Sequence, residues 1–87
     1  MVLKNYMEDC VLDKLDELIP KYPGRCFCEN CRMDIANLAL NHLPPKYIST
    51  EKGQVFARVE CFNRQSEVEI VKQIAAAIEQ VENHPRH

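Results

Sequence analysis

The sequence predicts an all-α fold, a small helical domain of three to four helices with a cysteine-rich loop before the second. Three observations carry this. Apolar residues recur with a helical period in three separate segments. The chain has two glycines and no tryptophan, a poor supply for the tight turns of an all-β protein. Its proline clusters fall where those helical patterns stop. At 87 residues the chain, 1–87, is read as a single domain.

In the first segment Leu3, Met7, Cys10, Val11, Leu15, Leu18 and Ile19 lie on one helical face. Asn5 followed by Glu8 has the spacing of a capping box, and Pro20 with Pro23-Gly24 ends the helix. The second segment runs from about Cys31 to Leu43, with Ile35, Leu38, Ala39 and His42 on one stripe. Asp34 in its first turn suits the helix dipole, and Pro44-Pro45 stops it. The third starts after Gly53 and reaches Val81, using Val55, Phe56, Val59 and Phe62, then Ile70, Val71, Ile74, Ala75 and Ile78. The polar stretch from Asn63 to Glu67, with Ser66 and Glu69 as a cap pair, allows either one long helix or two with a break near 63–66. A strand over Val55–Phe62 has no partner elsewhere in the chain.

Charge and hydropathy exclude several classes. The net charge of −2 disfavours non-specific DNA binding, although the basic residues between Lys46 and Arg64 can form a local patch. The longest apolar run, Ile74–Ile78, is far short of the ~20 residues of a membrane span. Acidic residues at Glu8, Asp9, Asp13, Asp16 and Glu17 do not suit a secretory segment, so a cytoplasmic protein is expected. There is no G-x-S-x-G, no H-E-x2-H and no glycine-rich phosphate loop, so an enzyme is not expected.

Five cysteines in such a chain point to metal before disulfides. Cys26, Cys28 and Cys31 form a C-x-C-x2-C knot, and C-x2-C spacing lets two thiolates meet one tetrahedral zinc at ~2.3 Å. Cys31, near a helix N-terminus, is expected to have a lowered thiol pKa. Arg25 and Arg32 flank the knot and are expected to offset thiolate charge, while Pro23-Gly24 supplies the turn. The bland alternative is three incidental loop thiols, which clustering at ligand spacing disfavours. A fourth ligand is needed, and Cys10, Cys61, His84 and His87 are all candidates by chemistry. Cys10 on an apolar stripe is ordinarily a small buried hydrophobe, and His42 reads as a helix-face histidine. A site filled by four protein ligands is structural, not catalytic, and its binding energy, of order 10 kcal/mol, is folding energy.

The stretch from Asn41 to Gly53 reads first as a rigid helix connection, with two prolines, a packed Tyr47 ring and a Ser49 or Thr50 cap. It also gathers groups suited to a nucleotide. Lys46, Lys52 and Arg58 can meet phosphates, Tyr47 can stack on a base, and a helix N-terminus beside Thr50 attracts anions.

The run Cys-x-Cys-x2-Cys-x2-Asp-Ile-x2-Leu-Ala-Leu-Asn-x-Leu-Pro-Pro-Lys-Tyr-x3-Glu-Lys-Gly, Cys26 to Gly53, resembles the late-competence development protein ComFB family. The opening Leu3-Lys4-Asn5-Tyr6-Met7-Glu8-Asp9 and the closing Asn83-His84-Pro85-Arg86-His87 are similar to that family's ends, so the resemblance covers nearly the whole chain. It implies an all-helical, dimeric, zinc-binding bacterial protein of the Cys-containing branch. The family also includes cyanobacterial receptors for cyclic dinucleotides that lack the cysteine knot. Members similar to this chain end in Pro-Arg-His, which implies Cys26, Cys28, Cys31 and His87 as zinc ligands, with Cys61 in reserve. The implied function is a signalling homodimer that binds cyclic di-GMP or cyclic di-AMP through Asn41, Lys46, Tyr47, Thr50 and Arg58. The alternative is a protein-interaction adaptor of the DNA-uptake machinery with a structural zinc and no small ligand.

Overall fold

The computed structural model describes residues 4–48 and 64–83. Helix α1 (Met7–Leu18) continues into a 3-10 turn at Ile19–Lys21, followed by α2 (Glu29–Asn41) and α3 (Arg64–Asn83). The fold is all-α, as expected, with the cysteine loop ahead of α2. Among the described residues there is one addition, a two-residue antiparallel pairing of β1 (Lys4–Asn5) with β2 (Tyr47–Ile48). Elements that short carry no periodicity, so the sequence did not announce them.

Helix α1 buries Met7, Cys10, Val11, Leu15 and Leu18 of the expected stripe; Ile19 is half-buried in the 3-10 turn, and Leu3 lies outside the described residues. Its start differs from a capping box: Tyr6 is the N-cap residue and its side chain makes no cap bond. Asn5, one position earlier, accepts the Met7 backbone N–H at 3.1 Å and the Lys46 backbone N–H at 2.8 Å with the same side-chain oxygen. The Tyr6 N–H donates to the Lys46 carbonyl at 2.7 Å. Asn5 thus fastens the start of α1 to the segment after α2.

Helix α2 starts two residues earlier than the sequence reading and stops at Asn41. Leu43 precedes a proline and is pushed from helical geometry, so the last turn closes by i to i−3 bonds, His42 to Ala39 and Leu43 to Leu40. The buried face is Cys31, Ile35, Ala36 and Ala39; Leu38 is only half-buried and His42 is exposed, so neither belongs to the central stripe.

Helix α3 is unbroken from Arg64 to Asn83, so Ser66 lies inside it and not at a cap. Its buried residues are Ile70, Ile74, Ala77, Ile78 and Val81, with Val71 packed at the margin. The sequence reading of Val55 to Phe62, and of any helix before Arg64, concerns residues outside those described. The core lies where these helices meet, and Val11, Leu15, Ile35, Ile70 and Ile74 are its largest fully enclosed side chains. Lys14 of α1 reaches the Glu67 carboxylate of α3 at 2.9 Å, pinning the other end of the bundle. Among the described residues, no helix is long and apolar enough to cross a membrane.

Candidate metal centre

The loop from the 3-10 turn to α2 is shaped by two residues. Gly24 has φ +79°, a left-handed conformation that other residues adopt only at a cost, and it turns the chain back after Pro23. Half-buried Phe27 packs against the core and anchors the loop between two exposed cysteines. Cys28 is the N-cap residue of α2, with φ −64° and ψ 170°, and its carbonyl accepts the first helical N–H, from Arg32, at 2.8 Å. Cys31 then falls in the first turn of the helix, its side chain only 3% exposed.

This backbone brings three thiols together. The sulfurs of Cys26, Cys28 and Cys31 all lie within 4.8 Å of one another. Tetrahedral thiolates at ~2.3 Å from zinc stand about 3.8 Å apart, so closing on an ion requires movements of roughly 1 Å. The donor set fits a thiophilic metal. None of the three is in a disulfide.

The electrostatics invert the sequence expectation. The Cys31 backbone N–H, then the Cys26 thiol, draw the Cys28 thiol below its ordinary range. Burial pushes the Cys31 thiol up to about 12, and the neighbouring Cys26 and Cys28 sulfurs add to the rise. The helix terminus therefore favours the thiolate at the cap position, Cys28. Cys31, one turn in, is governed by desolvation.

Both flanking arginines are held by carboxylates. Arg32 holds Asp16 of α1 in a forked pair, from Nη2 at 2.8 and 2.9 Å and from Nε at 3.1 Å. Arg25 pairs with the Glu82 carboxylate near the end of α3 and lies 5.5 Å from the Tyr22 ring centre. Both arginines fasten the loop to other helices. These partners are 16 and 57 residues away, and nothing in local spacing reveals them.

Between the loop and α3 is a cavity of about 170 Å³, lined by Cys26, Phe27, Cys31, Ile35, Ile78 and Val81 among others. The cluster therefore faces the C-terminal end of α3. Cys10 is buried as expected but is disulfide-bonded, so it offers no thiolate to a metal in this state. His84, His87 and Cys61 lie outside the described residues.

Of the nucleotide-binding candidates, Asn41 ends α2, about 18 Å along its axis from its start beside the cysteines at ~1.5 Å per residue, and Lys46 and Tyr47 follow in the segment beyond it. Asn41 is exposed, Lys46 is half-buried and Tyr47 is 60% exposed. Thr50 and Arg58 lie outside the described residues. Lys46 borders an open groove of about 730 Å³ with Met7, Leu43, Pro44, Val68 and Ile70; Asn41 and Tyr47 do not line it. The groove is assembled from three chain segments and was not legible in the sequence.

A helical domain carrying a thiol cluster of metal-ligand spacing defines a small all-α protein with one candidate metal centre among the described residues. The family model for the late competence development protein ComFB matches residues 4–85, and the chain belongs to that family. A solved structure, that of the late competence protein ComFB from Bacillus subtilis, aligns with a TM-score of 0.84 at 24% identity. That alignment covers 97% of this chain and 94% of the other. At this identity the likeness establishes the shared fold. No curated protein matches the chain.

Proposed function

We propose that this chain is a non-enzymatic cytoplasmic regulatory protein whose loop is stapled by a structural zinc, and that it binds a cyclic dinucleotide as a homodimer. The observation that carries the metal half is the convergence of three sulfurs within 4.8 Å at the start of α2. When bound, zinc supplies cross-linking and no open coordination position. Cys28 and Cys31 would hold it from the first turn of α2, and Cys26 from the loop.

For the fourth ligand, helix geometry favours the histidines. Val81 and Glu82 line the cavity beside Cys26 and Cys31, so the chain leaves α3 next to the cluster. Four residues of chain from Asn83 to His87 span up to ~14 Å. At ~1.5 Å per residue, Arg64 is about 27 Å from Glu82 along α3, and the three residues back to Cys61 recover at most ~11 Å. His87, which resembles the family's terminal histidine, is therefore the proposed ligand over Cys61.

The nucleotide half rests on Lys46, which borders an open groove, and on exposed Tyr47, the next residue in the chain, a cation for phosphate and a ring for a base. A two-fold ligand suits an isologous dimer. The test is a calorimetric titration of zinc-loaded protein with cyclic di-GMP and cyclic di-AMP. Saturation near one ligand per two chains supports the receptor; no heat and no melting shift overturn it. Exposed Met33 and Val68, at 56% and 61%, favour the second reading, a protein-interaction adaptor in DNA uptake.

A further inference from the structure

We propose that the thiol cluster is also an oxidant-sensitive switch, in which Cys28 and Cys31 join in a disulfide and the metal leaves. This rests on the metal reading above and adds its regulation. Cys28 is exposed at the N-cap of α2, whereas Cys31 is 3% exposed, so of the two helix thiols an oxidant from solvent meets Cys28 before Cys31. An N-cap side chain lies over the first turn of its helix, the place where Cys31 stands. All three sulfurs lie within 4.8 Å, so an S–S bond of ~2.05 Å needs closure by less than about 3 Å. Cys26, also exposed, belongs to the loop before the helix and remains as the third thiol.

The oxidant class is a hydroperoxide. The Cys28 sulfur attacks one peroxide oxygen, the O–O bond breaks, and the departing hydroxide takes a proton to become water. Cys28 is then a sulfenic acid. The Cys31 sulfur attacks the Cys28 sulfur, the S–O bond breaks, the S–S bond forms and the second hydroxide is protonated to water. Two electrons have passed from the two sulfurs to the peroxide. A site that has lost two thiolates lets its ion go. Dithiol reductant and metal restore the starting state.

Hydrogen peroxide added to metal-loaded protein tests this, with metal release followed by a chelating dye and thiols mapped by two-step alkylation. Arg25 and Arg32 flank the cluster, so one tryptic peptide, Cys26 to Arg32, holds all three cysteines. The expected peptide carries the first label on Cys26 and the second, added after reduction, on Cys28 and Cys31. Cys26→Ser is expected to keep the Cys28–Cys31 disulfide, while Cys28→Ser slows sulfur oxidation in this peptide by on the order of tenfold or more. The same map made on metal-free protein keeps the pairing testable where a variant does not hold metal. Metal content before peroxide separates the two claims: none there overturns the metal reading and the release step together. Metal that stays bound, sulfinate without a disulfide, or pairing through Cys26 overturns the switch alone.

Discussion

Arg32 grips Asp16 with a forked guanidinium–carboxylate pair, Nη2 lying 2.8 and 2.9 Å from its two oxygens. Asp16 belongs to the last part of α1 and Arg32 to the first turn of α2, one residue after Cys31. The pair fixes the approach of α2 to α1 at the point where the sulfurs converge. It is partly exposed, so Arg32→Ala is expected to cost at most about 1 kcal/mol in urea unfolding of chelator-treated protein. Metal affinity is expected to fall several-fold, measured by dye competition, because the loop loses a fastening and no ligand.

Asn5 has a larger expected effect for a smaller side chain. Its oxygen accepts two backbone N–H groups, from Met7 and from Lys46. Asn5→Ala is expected to cost about 1–2 kcal/mol, the cost of leaving two amides without that acceptor. Faster hydrogen exchange at the Lys46 amide is the specific sign, and Asn5→Asp, which keeps an acceptor oxygen, is expected to recover most of it.

Core and surface positions of α3 separate cleanly. Ile74 is 0% exposed, and Ile74→Ala is expected to destabilise by about 2–5 kcal/mol through lost contacts and a cavity. Val68 lies on the outer face of the same helix, and Val68→Ala is expected to stay within ~0.5 kcal/mol in the isolated protein. Denaturation midpoints of the two variants check both.

Much of the bundle is legible in the sequence because burial imposes a period. Met7, Cys10, Val11, Leu15 and Leu18 follow it, as do Ile70, Ile74 and Ile78. The cysteine knot is legible because ligand spacing is local. What escaped has long-range causes. Asn5 resembled a cap partner for Glu8, yet its oxygen serves Lys46, 41 residues on. Arg25 and Arg32 looked like counter-charges for thiolates, but carboxylates on α3 and α1 compete for them. Cys31 looked like the activated thiol because it neighbours a helix start. A start at Glu29 instead puts Cys28 at the cap and Cys31 in the interior.

Metal uptake is expected to tighten as pH rises. Cys31, pushed up to about 12 in the metal-free chain, is protonated at neutral pH and must release its proton to bind. Affinity should rise roughly tenfold per pH unit for each ligand thiol still protonated. Competition titrations from mildly acidic to mildly alkaline pH measure this, and a flat profile contradicts it. The metal-free fold has the opposite trend. A thiol raised from 9.0 to about 12 favours the folded state while protonated, so that contribution is full below the unfolded pKa and fades as pH climbs through this window.

Cys10 makes a separate, countable prediction. It is disulfide-bonded while Cys26, Cys28 and Cys31 are thiols. In denatured, unreduced protein stripped of metal, Cys26, Cys28 and Cys31 are expected to be alkylated and Cys10 only after reduction. Alkylation of Cys10 before reduction contradicts this.

The most direct test of a zinc held by the cysteine cluster and the chain's terminal histidine is X-ray absorption at the zinc edge of stoichiometrically loaded protein. The expected shell is three sulfurs at ~2.3 Å and one nitrogen at ~2.0–2.1 Å, with Cys26→Ser replacing one sulfur by a lighter atom and His87→Ala removing the nitrogen. Four sulfurs, or a shell of oxygens without thiolates, would contradict it.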